Sequence, residues 1–159
     1  MFTPRSRARE VALQLLFQKD QNPNLIPRRA IEKFARDRLN QDAELAAYCL
    51  ALYDGAAAKQ ADIDPKITAT AVNWRLSRMT PVDRNVLRLA AYELLFDPAG
   101  EPLEVLIDEA IELARRYGSK DSPAFVNGIL DKIARMRSAE VGVRNETPLA
   151  EPTVPDPVS

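Results

Sequence analysis

Histidine is absent from the 159-residue sequence, and cysteine occurs once. Without histidine there is no Ser-His-Asp or Cys-His catalytic arrangement, no imidazole base near neutral pH and no histidine-ligated metal. Cys49 alone can form neither an intrachain disulfide nor a multi-thiolate zinc site, as is typical of a reducing compartment. The five glycines form no phosphate-binding loop of either standard spacing. These absences disfavour an enzyme, and we expect no catalytic residue, no cofactor and no metal site.

Long apolar runs are also missing. No stretch approaches the ~20 residues that a membrane-spanning helix needs. The N-terminus lacks the unbroken apolar segment of a secretory signal, because Arg9, Glu10 and Gln14 interrupt it. Apolar residues nevertheless make up 46% of the chain, enough for one packed core. We therefore expect a single globular domain in the cytoplasm.

The net charge of −1 conceals an uneven distribution. After Ala139 four acids oppose the single base Arg144, so residues 1–138 carry a small basic excess. Four prolines also fall in this last segment, which has too little apolar area to offset the entropy of ordering. We predict a helical domain over residues 1–138 and a disordered, Pro-rich acidic tail over residues 139–159.

Helix starts are marked by prolines that follow a side chain able to cap a helix. Proline suits the first helical position because no N–H partner is needed there, and the preceding side chain can accept a hydrogen bond from the helix end. Four such pairs occur: Thr3-Pro4, Asp64-Pro65, Thr80-Pro81 and Ser122-Pro123. Gly118 lies where a left-handed C-terminal cap is expected.

No segment shows the sustained alternation of apolar and polar residues that is typical of strands. The pattern predicts an all-α, compact bundle of about seven helices. Their expected ranges are 4–20, 28–38, 41–62, 65–77, 81–96, 103–117 and 123–137. The segment 81–96 is apolar on most of its circumference, so we expect it at the centre of the bundle, and we expect Cys49 in the core.

Arginines open the first predicted helix before any acid appears. Arg5, Arg7 and Arg9 are followed on the same helix by Gln14. RNA-binding proteins commonly use arginines for phosphates and planar side chains for unstacked bases. The alternative is a solvated basic face with a structural role only.

A second candidate site is the turn within residues 117–128, which leads into the last predicted helix. Free N–H groups near Ser122 could receive a phosphate, Lys120 adds positive charge, and Phe125 offers a ring for stacking. The alternative is a well-capped turn, in which Asp121 and Ser122 satisfy backbone donors and Phe125 is buried.

Two more arginines lie on the otherwise apolar segment 81–96. Arg84 and Arg88 are four residues apart, and Arg75 and Arg78 precede them. One alternative is that they contact a protein partner, because arginine is enriched at protein–protein interfaces. The other is that they pair with acids of the bundle itself. Composition does not decide between these alternatives.

Several motifs in this order are similar to those of a known family. They are residues 7–10 (RARE), 12–14 (ALQ), 73–74 (NW), 82–94 (VDRNVLRLAAYEL), 107–118 (IDEAIELARRYG), 121–122 (DS) and 125–128 (FVNG). Taken together, they resemble the NusB family of transcription antitermination factors over residues 5–135.

The resemblance implies an all-α fold of two small subdomains and a set of partners. These are boxA RNA of ribosomal operons, NusE (a small-subunit ribosomal protein), and an RNA polymerase assembly with NusA and NusG. The implied RNA contacts are Arg5, Arg7, Arg9, Lys120, Asp121, Ser122 and Phe125, to which we add Gln14. The expected NusE contacts are Arg78, Asp83 and Arg84. Ser6 interrupts what is often a continuous basic run, which we expect to weaken RNA binding.

Two other function classes fit the same sequence. NusB-like domains also precede the catalytic domain of certain ribosomal RNA cytosine methyltransferases, and this chain ends before a nucleotide-binding βαβ unit. A protein-interaction scaffold, whose arginines bind an acidic partner, is the other possibility. Binding of S-adenosylmethionine would distinguish the first, and survival of a complex after nuclease treatment the second. The sequence leaves the oligomeric state open.

Overall fold

The computed structural model describes the backbone of residues 2–72, 74–96 and 100–150, and side-chain surroundings up to residue 137. These residues form seven α-helices and one short 3-10 helix, with no strand among them, which confirms the all-α prediction. The α-helices are α1 Pro4–Gln21, α2 Arg28–Arg38, α3 Ala43–Ala58, α4 Gln60–Thr70, α5 Pro81–Phe96, α6 Leu103–Tyr117 and α7 Ser122–Ala150. The 3-10 helix is Leu76–Arg78. Among the described helices, none combines the length and the apolar character of a membrane span.

Helix α5 lies at the centre of the bundle, as its apolar circumference predicts. It packs against α1, α3, α4, α6 and α7. Leu87, Ala91 and Leu94 on this helix have no exposed surface. Helices α1, α2 and α3 pack on one another on one side, and α6 and α7 pack on the other. Cys49 is fully buried in the shared core, as expected.

Two of the four predicted helix starts have the expected cap. Thr3 accepts a hydrogen bond from the backbone N–H of Ser6, and the Ser6 side chain accepts one from the Thr3 backbone, which completes a capping box. Thr80 likewise accepts from the backbone N–H of Asp83 at 3.1 Å. These bonds satisfy donors that the first turn of a helix leaves without intrahelical partners.

The start predicted at Asp64-Pro65 is wrong. Helix α4 begins earlier, after a break at Lys59, and Pro65 lies inside it. Asp64 does not cap a helix because its carboxylate binds Arg88, with Nε 2.9 Å from Oδ1. The predicted helix over 65–77 accordingly ends at Thr70.

Helix α6 ends at Tyr117 as predicted, but its cap differs from prediction, and so does the end of α7. Gly118 has φ −94° and ψ −165°, an extended conformation rather than a left-handed cap. Helix α7 continues from Ser122 to Ala150, well beyond the predicted end at 137 and into the segment for which we predict a tail. Residues 138–147 contain no proline, so the helical hydrogen-bond ladder can continue through them. The rest of the predicted tail, and Asn73 of the 73–74 motif, lie outside the described residues.

Candidate nucleic-acid interface

Arg9 does not lie on the surface of the protein. Its relative exposure is 2%, and its guanidinium group is enclosed by three carboxylates and a tyrosine. Nε and Nη2 each lie 2.9 Å from an oxygen of Glu93 on α5, and Nη1 lies 2.8 Å from Glu109 on α6. Arg9 also donates to Glu101 and to the Tyr48 hydroxyl. The prediction that Arg9 contacts RNA is therefore corrected, because its donors are already used inside the protein.

The burial of Arg9 among these side chains shifts the pKa values of the group. Burial alone would lower the pKa of Arg9, but the hydrogen bond and charge of Glu93 outweigh it, and the pKa is raised. For Glu93 burial is the larger effect, and its pKa is raised above the usual value despite the arginine. Burial likewise raises the pKa of Tyr48 to about 12. Arg9 thus stays charged and joins α1 to α5 and α6.

Glu10 connects the start of α1 to the end of α6. Its side chain is 2% exposed, and its carboxylate binds Arg7 from the same helix. From α6, Arg116 approaches the other carboxylate oxygen at 3.0 Å, and the Tyr117 hydroxyl donates to that oxygen. Two arginines from different helices therefore meet at one buried carboxylate. Their side chains remain 38% and 42% exposed, so both still face solvent.

Arg5 is the most exposed of the three predicted arginines on α1. Its side chain is 52% exposed and pairs with Glu101 at 2.7 Å. Its guanidinium group also lies 5.0 Å from the centre of the Tyr48 ring. An exposed ion pair of this kind is weak, so Arg5 can exchange Glu101 for another anion at little cost.

The turn after α6 is exposed at Lys120 and Asp121. Ser122 is not, since it is only 1% exposed and its Oγ accepts a hydrogen bond from the Ser119 backbone at 2.9 Å. The predicted direct contact of Ser122 with RNA is therefore corrected to the alternative, a capped turn. Phe125 is partly buried and meets Trp74 edge-on, with ring centres 6.3 Å apart.

Gln14 lies between these two regions. It is partly exposed, and its Nε2 donates to the Tyr117 hydroxyl at 3.2 Å. Because Tyr117 follows Arg116 and precedes the turn, this bond and those of Glu10 hold the start of α1 beside the α6–α7 connection. Of the predicted RNA residues, the structure thus brings Arg7 and Gln14 to the C-terminal end of α6, which directly precedes the turn with Lys120 and Asp121.

The three residues expected to contact NusE have different surroundings. Arg78 is exposed, whereas Asp83 is buried. Both line a cavity of about 230 Å³ that also borders Ser122 and Phe125. The Oδ1 atom of Asp83 has no hydrogen-bond partner in the described part of the chain. A buried oxygen without a donor is uncommon and calls for an explanation.

Arg84 is held by the protein itself. Its Nη2 lies 2.6 Å from Asp20 on α1, and its Nη1 donates to the backbone carbonyls of Leu76 and Met79. Arg88 similarly binds Asp64 and Asp20. For Arg84 and Arg88 the structure shows the second alternative, which is pairing with acids of the bundle itself. Arg84 thus has a structural role, and its contact with NusE stays a prediction.

Several residues of this region were not singled out from the sequence. Glu10 and Arg116 join the two candidate sites, and Arg38 on α2 lies beside Arg7, whose Nη2 donates to the Arg38 carbonyl at 3.3 Å. Sequence spacing does place Arg116 directly before the turn. Nothing in the sequence indicates that Glu10 is buried, because an acid one residue from Arg9 looks like a surface ion pair.

The fold and this surface define a class: a helical bundle centred on one apolar helix, with arginines of its first and sixth helices gathered at one edge. Comparisons with known proteins identify the family. The profile described as "NusB family" matches residues 6–135. The chain belongs to the NusB family.

Individual relatives agree with this assignment. "Transcription antitermination protein NusB" of Sorangium cellulosum is 48% identical over 82% of this chain and 91% of its own length. The protein of the same name from Elusimicrobium minutum is 42% identical over 84% of this chain and 94% of its own. These overlaps confirm the resemblance read from the motifs.

Solved structures give the same result. NusB of T. maritima has a TM-score of 0.70 and 40% identity, and the match covers 85% of this chain and 93% of that one. A crystal structure of antitermination factors NusB and NusE in complex with dsRNA has a TM-score of 0.75 and 26% identity, over 86% of this chain and 99% of that one. The fold is thus shared along nearly the whole length of both relatives.

Proposed function

We propose that the protein is a transcription antitermination factor that binds boxA RNA of ribosomal operons together with NusE. In this role it joins an RNA polymerase assembly with NusA and NusG in the cytoplasm. The observation that carries the proposal is the buried carboxylate of Glu10, which binds cations from both α1 and α6. This carboxylate joins the arginine-rich start of α1 to the end of α6, directly before the turn, which supports one RNA surface formed by both regions.

The described charges support RNA as the ligand of this surface. Arg7 and Arg116 are held in place by Glu10 yet remain more than a third exposed, so their remaining donors can bind phosphate oxygens. Lys120 and Arg5 are further exposed cations that we assign to the same surface. We assign Arg9 a positioning role, since it fixes α1 on α5 without reaching solvent.

NusE is the second partner in the proposal. A relative with a TM-score of 0.75 is described as NusB and NusE in complex with dsRNA. In this chain Arg78 and Asp83 line one cavity, and Oδ1 of Asp83 is buried without a donor among the described residues; we assign this cavity to NusE. The same cavity borders Phe125, which lies at the proposed RNA surface. NusE and RNA would therefore bind side by side.

A binding function also fits the family better than catalysis. The relatives are named as transcription antitermination proteins. We therefore propose that the protein is an adaptor without catalytic activity and without a cofactor. We assign the RNA surface to residues 1–138 and no role to residues 139–159.

The test is a titration of boxA RNA and of a scrambled RNA of equal length, with and without NusE, at several salt concentrations. Two proteins that share one RNA should show positive coupling of about 1–3 kcal/mol, or a 5- to 150-fold gain in affinity. We expect preference for boxA and tighter binding with NusE. Equal affinity for both RNAs in both conditions would refute the proposal.

A further inference from the structure

A second cavity lies beside Gln14, on the side of the bundle where α1, α2 and α6 meet. Its volume is about 320 Å³, which is in the range of pockets that hold a small ligand. The walls are mainly apolar and aromatic, and they include Phe17, Phe34, Tyr117 and Val82. Such walls suit a flat aromatic ligand.

Hydrogen bonds fix which end of the Gln14 amide is free. The Tyr117 hydroxyl has one proton, and it donates that proton to the Glu10 carboxylate. The same hydroxyl therefore acts as acceptor toward Gln14, whose Nε2 donates to it. The amide nitrogen of Gln14 therefore has a hydrogen-bond partner, and the amide oxygen, Oε1, does not receive a hydrogen bond from Tyr117.

The Oε1 atom of Gln14 is buried and has no hydrogen-bond partner among the described residues. Gln14 lines the cavity, and the last torsion of its side chain is soft. An acceptor without a donor would be satisfied by a ligand that carries an N–H group.

Cations stand at the rim of this cavity. Arg38 is one of the lining residues, and its guanidinium group lies 4.5 Å from the centre of the Phe34 ring. Arg7, which belongs to the proposed RNA surface, donates to the Arg38 carbonyl. The cavity is thus continuous with the positive edge of the protein, and phosphates beside it would be neutralised. An apolar slot next to arginines is the arrangement that accepts an unstacked base of single-stranded RNA.

We propose that this cavity takes one nucleobase of the bound RNA and that Gln14 reads it. The base lies between the aromatic walls, and its exocyclic amino group donates to Oε1 of Gln14. This inference rests on the proposed function and adds a specificity-determining residue to it. Removing that amino group takes away the donor to Oε1, so the cavity distinguishes the base from its counterpart without the amino group.

The experiment compares the wild-type protein with Gln14→Met, which keeps the length of the side chain and removes the acceptor. The probes are boxA RNAs in which one amino-bearing base at a time is replaced by its counterpart without that amino group. For adenosine, guanosine and cytidine these counterparts are purine riboside, inosine and 2-pyrimidinone riboside. We expect the wild type to lose about tenfold in affinity at one position. Gln14→Met should lose nothing further at that position.

Two additional variants make the result specific. Gln21→Met makes the same change at the exposed end of α1 and should keep the wild-type profile. Tyr117→Phe removes the hydroxyl that orients the amide, so the discrimination at the same position should shrink. This second variant tests the pocket independently if Gln14→Met does not fold.

The outcomes separate the inference from the function on which it rests. A wild type without boxA preference would refute the proposed function. A wild type that prefers boxA, with Gln14→Met showing the same position-by-position profile, would overturn the pocket alone. Loss of NusE affinity in Gln14→Met with an unchanged RNA profile would also overturn it, because the cavity would then take a protein side chain.

Discussion

Arg9 and Glu93 form a buried, two-pronged ion pair that joins α1 to the central helix: Nε and Nη2 of the arginine each lie 2.9 Å from a carboxylate oxygen. Both side chains are less than 5% exposed. A pair of this kind is poor evidence of net stabilisation, yet breaking it leaves a charge uncompensated in the interior. The arginine-rich motif is therefore partly structural.

Replacing Arg9 with alanine should destabilise the fold by about 3–5 kcal/mol, because Glu93, Glu101 and Glu109 would lose their common counter-ion. Urea unfolding followed by circular dichroism measures this change. Arg5→Ala is the matched control, since it removes an exposed partner of Glu101 and should change stability by less than about 1 kcal/mol. Similar effects of the two substitutions would contradict the buried position of Arg9.

The substitution Glu10→Gln distinguishes two roles of Glu10, because its negative charge and its positioning of arginines have opposite effects on RNA affinity. Removing a negative charge from a protein that binds RNA should by itself tighten binding. We expect weaker binding, by about threefold to tenfold, since Arg7 and Arg116 lose the carboxylate that orients them. Fluorescence anisotropy with boxA RNA measures it. Glu112→Gln, which removes an exposed acid paired with Arg115 on α6, is the control and should bind as tightly as wild type or tighter. If Glu10→Gln binds boxA RNA more tightly than the wild type, Glu10 does not position Arg7 and Arg116 for RNA.

The substitution Asp83→Asn should lower the affinity for NusE without lowering the stability of the protein. The buried Oδ1 atom lacks a donor within the described residues, so neutralising the side chain should leave the melting temperature unchanged or higher. Affinity for NusE should fall at least tenfold if that oxygen receives a donor from NusE. Asp108→Asn, at an exposed position of α6, serves as the control and should change neither quantity. Unchanged NusE affinity in Asp83→Asn would place NusE elsewhere.

Acid should weaken the contact between α1 and α5. Burial alone would raise the pKa of Asp20, but hydrogen bonds from Arg84 and Asn85 and the charge of Arg84 outweigh it, and the pKa lies below its usual value. A carboxylate with a lowered pKa in the folded state contributes stability above its unfolded pKa of about 3.9. That contribution is lost as the pH falls through the lower folded value.

The corresponding measurement is the free energy of unfolding between about pH 2 and pH 7 for wild type and Asp20→Asn. We expect the variant to be less stable at neutral pH and to lose less stability on acidification. Parallel curves for the two proteins would show that Asp20 is not the group that titrates.

Much of the fold could be predicted from the sequence because its signals are local. Thr3-Pro4 and Thr80-Pro81 mark true helix starts, and the apolar circumference of residues 81–96 identifies the central helix. The failure at Asp64-Pro65 has a tertiary cause: the capping carboxylate is taken by Arg88, which lies far away in the sequence. A local rule cannot anticipate such a partner.

The candidate site was predictable in its location but not in the role of each residue. Arg5, Arg7 and Arg9 look equivalent in the sequence, yet α1 turns Arg9 into the core and leaves Arg5 in solvent. Arg5 and Arg9 are four residues apart and share one face of α1, so helix periodicity does not distinguish them. Only the packing of α1 in the bundle shows that this face is covered at Arg9 and open at Arg5. The same holds for Ser122, whose hydroxyl accepts a hydrogen bond from the Ser119 backbone within the turn and is not available at the surface.

The central claim is that the start of α1 and the turn after α6 bind the same RNA, and the salt dependence of boxA affinity tests it most directly. Each lost phosphate contact should reduce the slope of log affinity against log salt by about 0.7. Arg7→Ala and Lys120→Ala should each show this reduction, and the double variant about twice as much, while the exposed control Arg135→Ala keeps the wild-type slope. A double variant with the slope of the wild type would contradict the account.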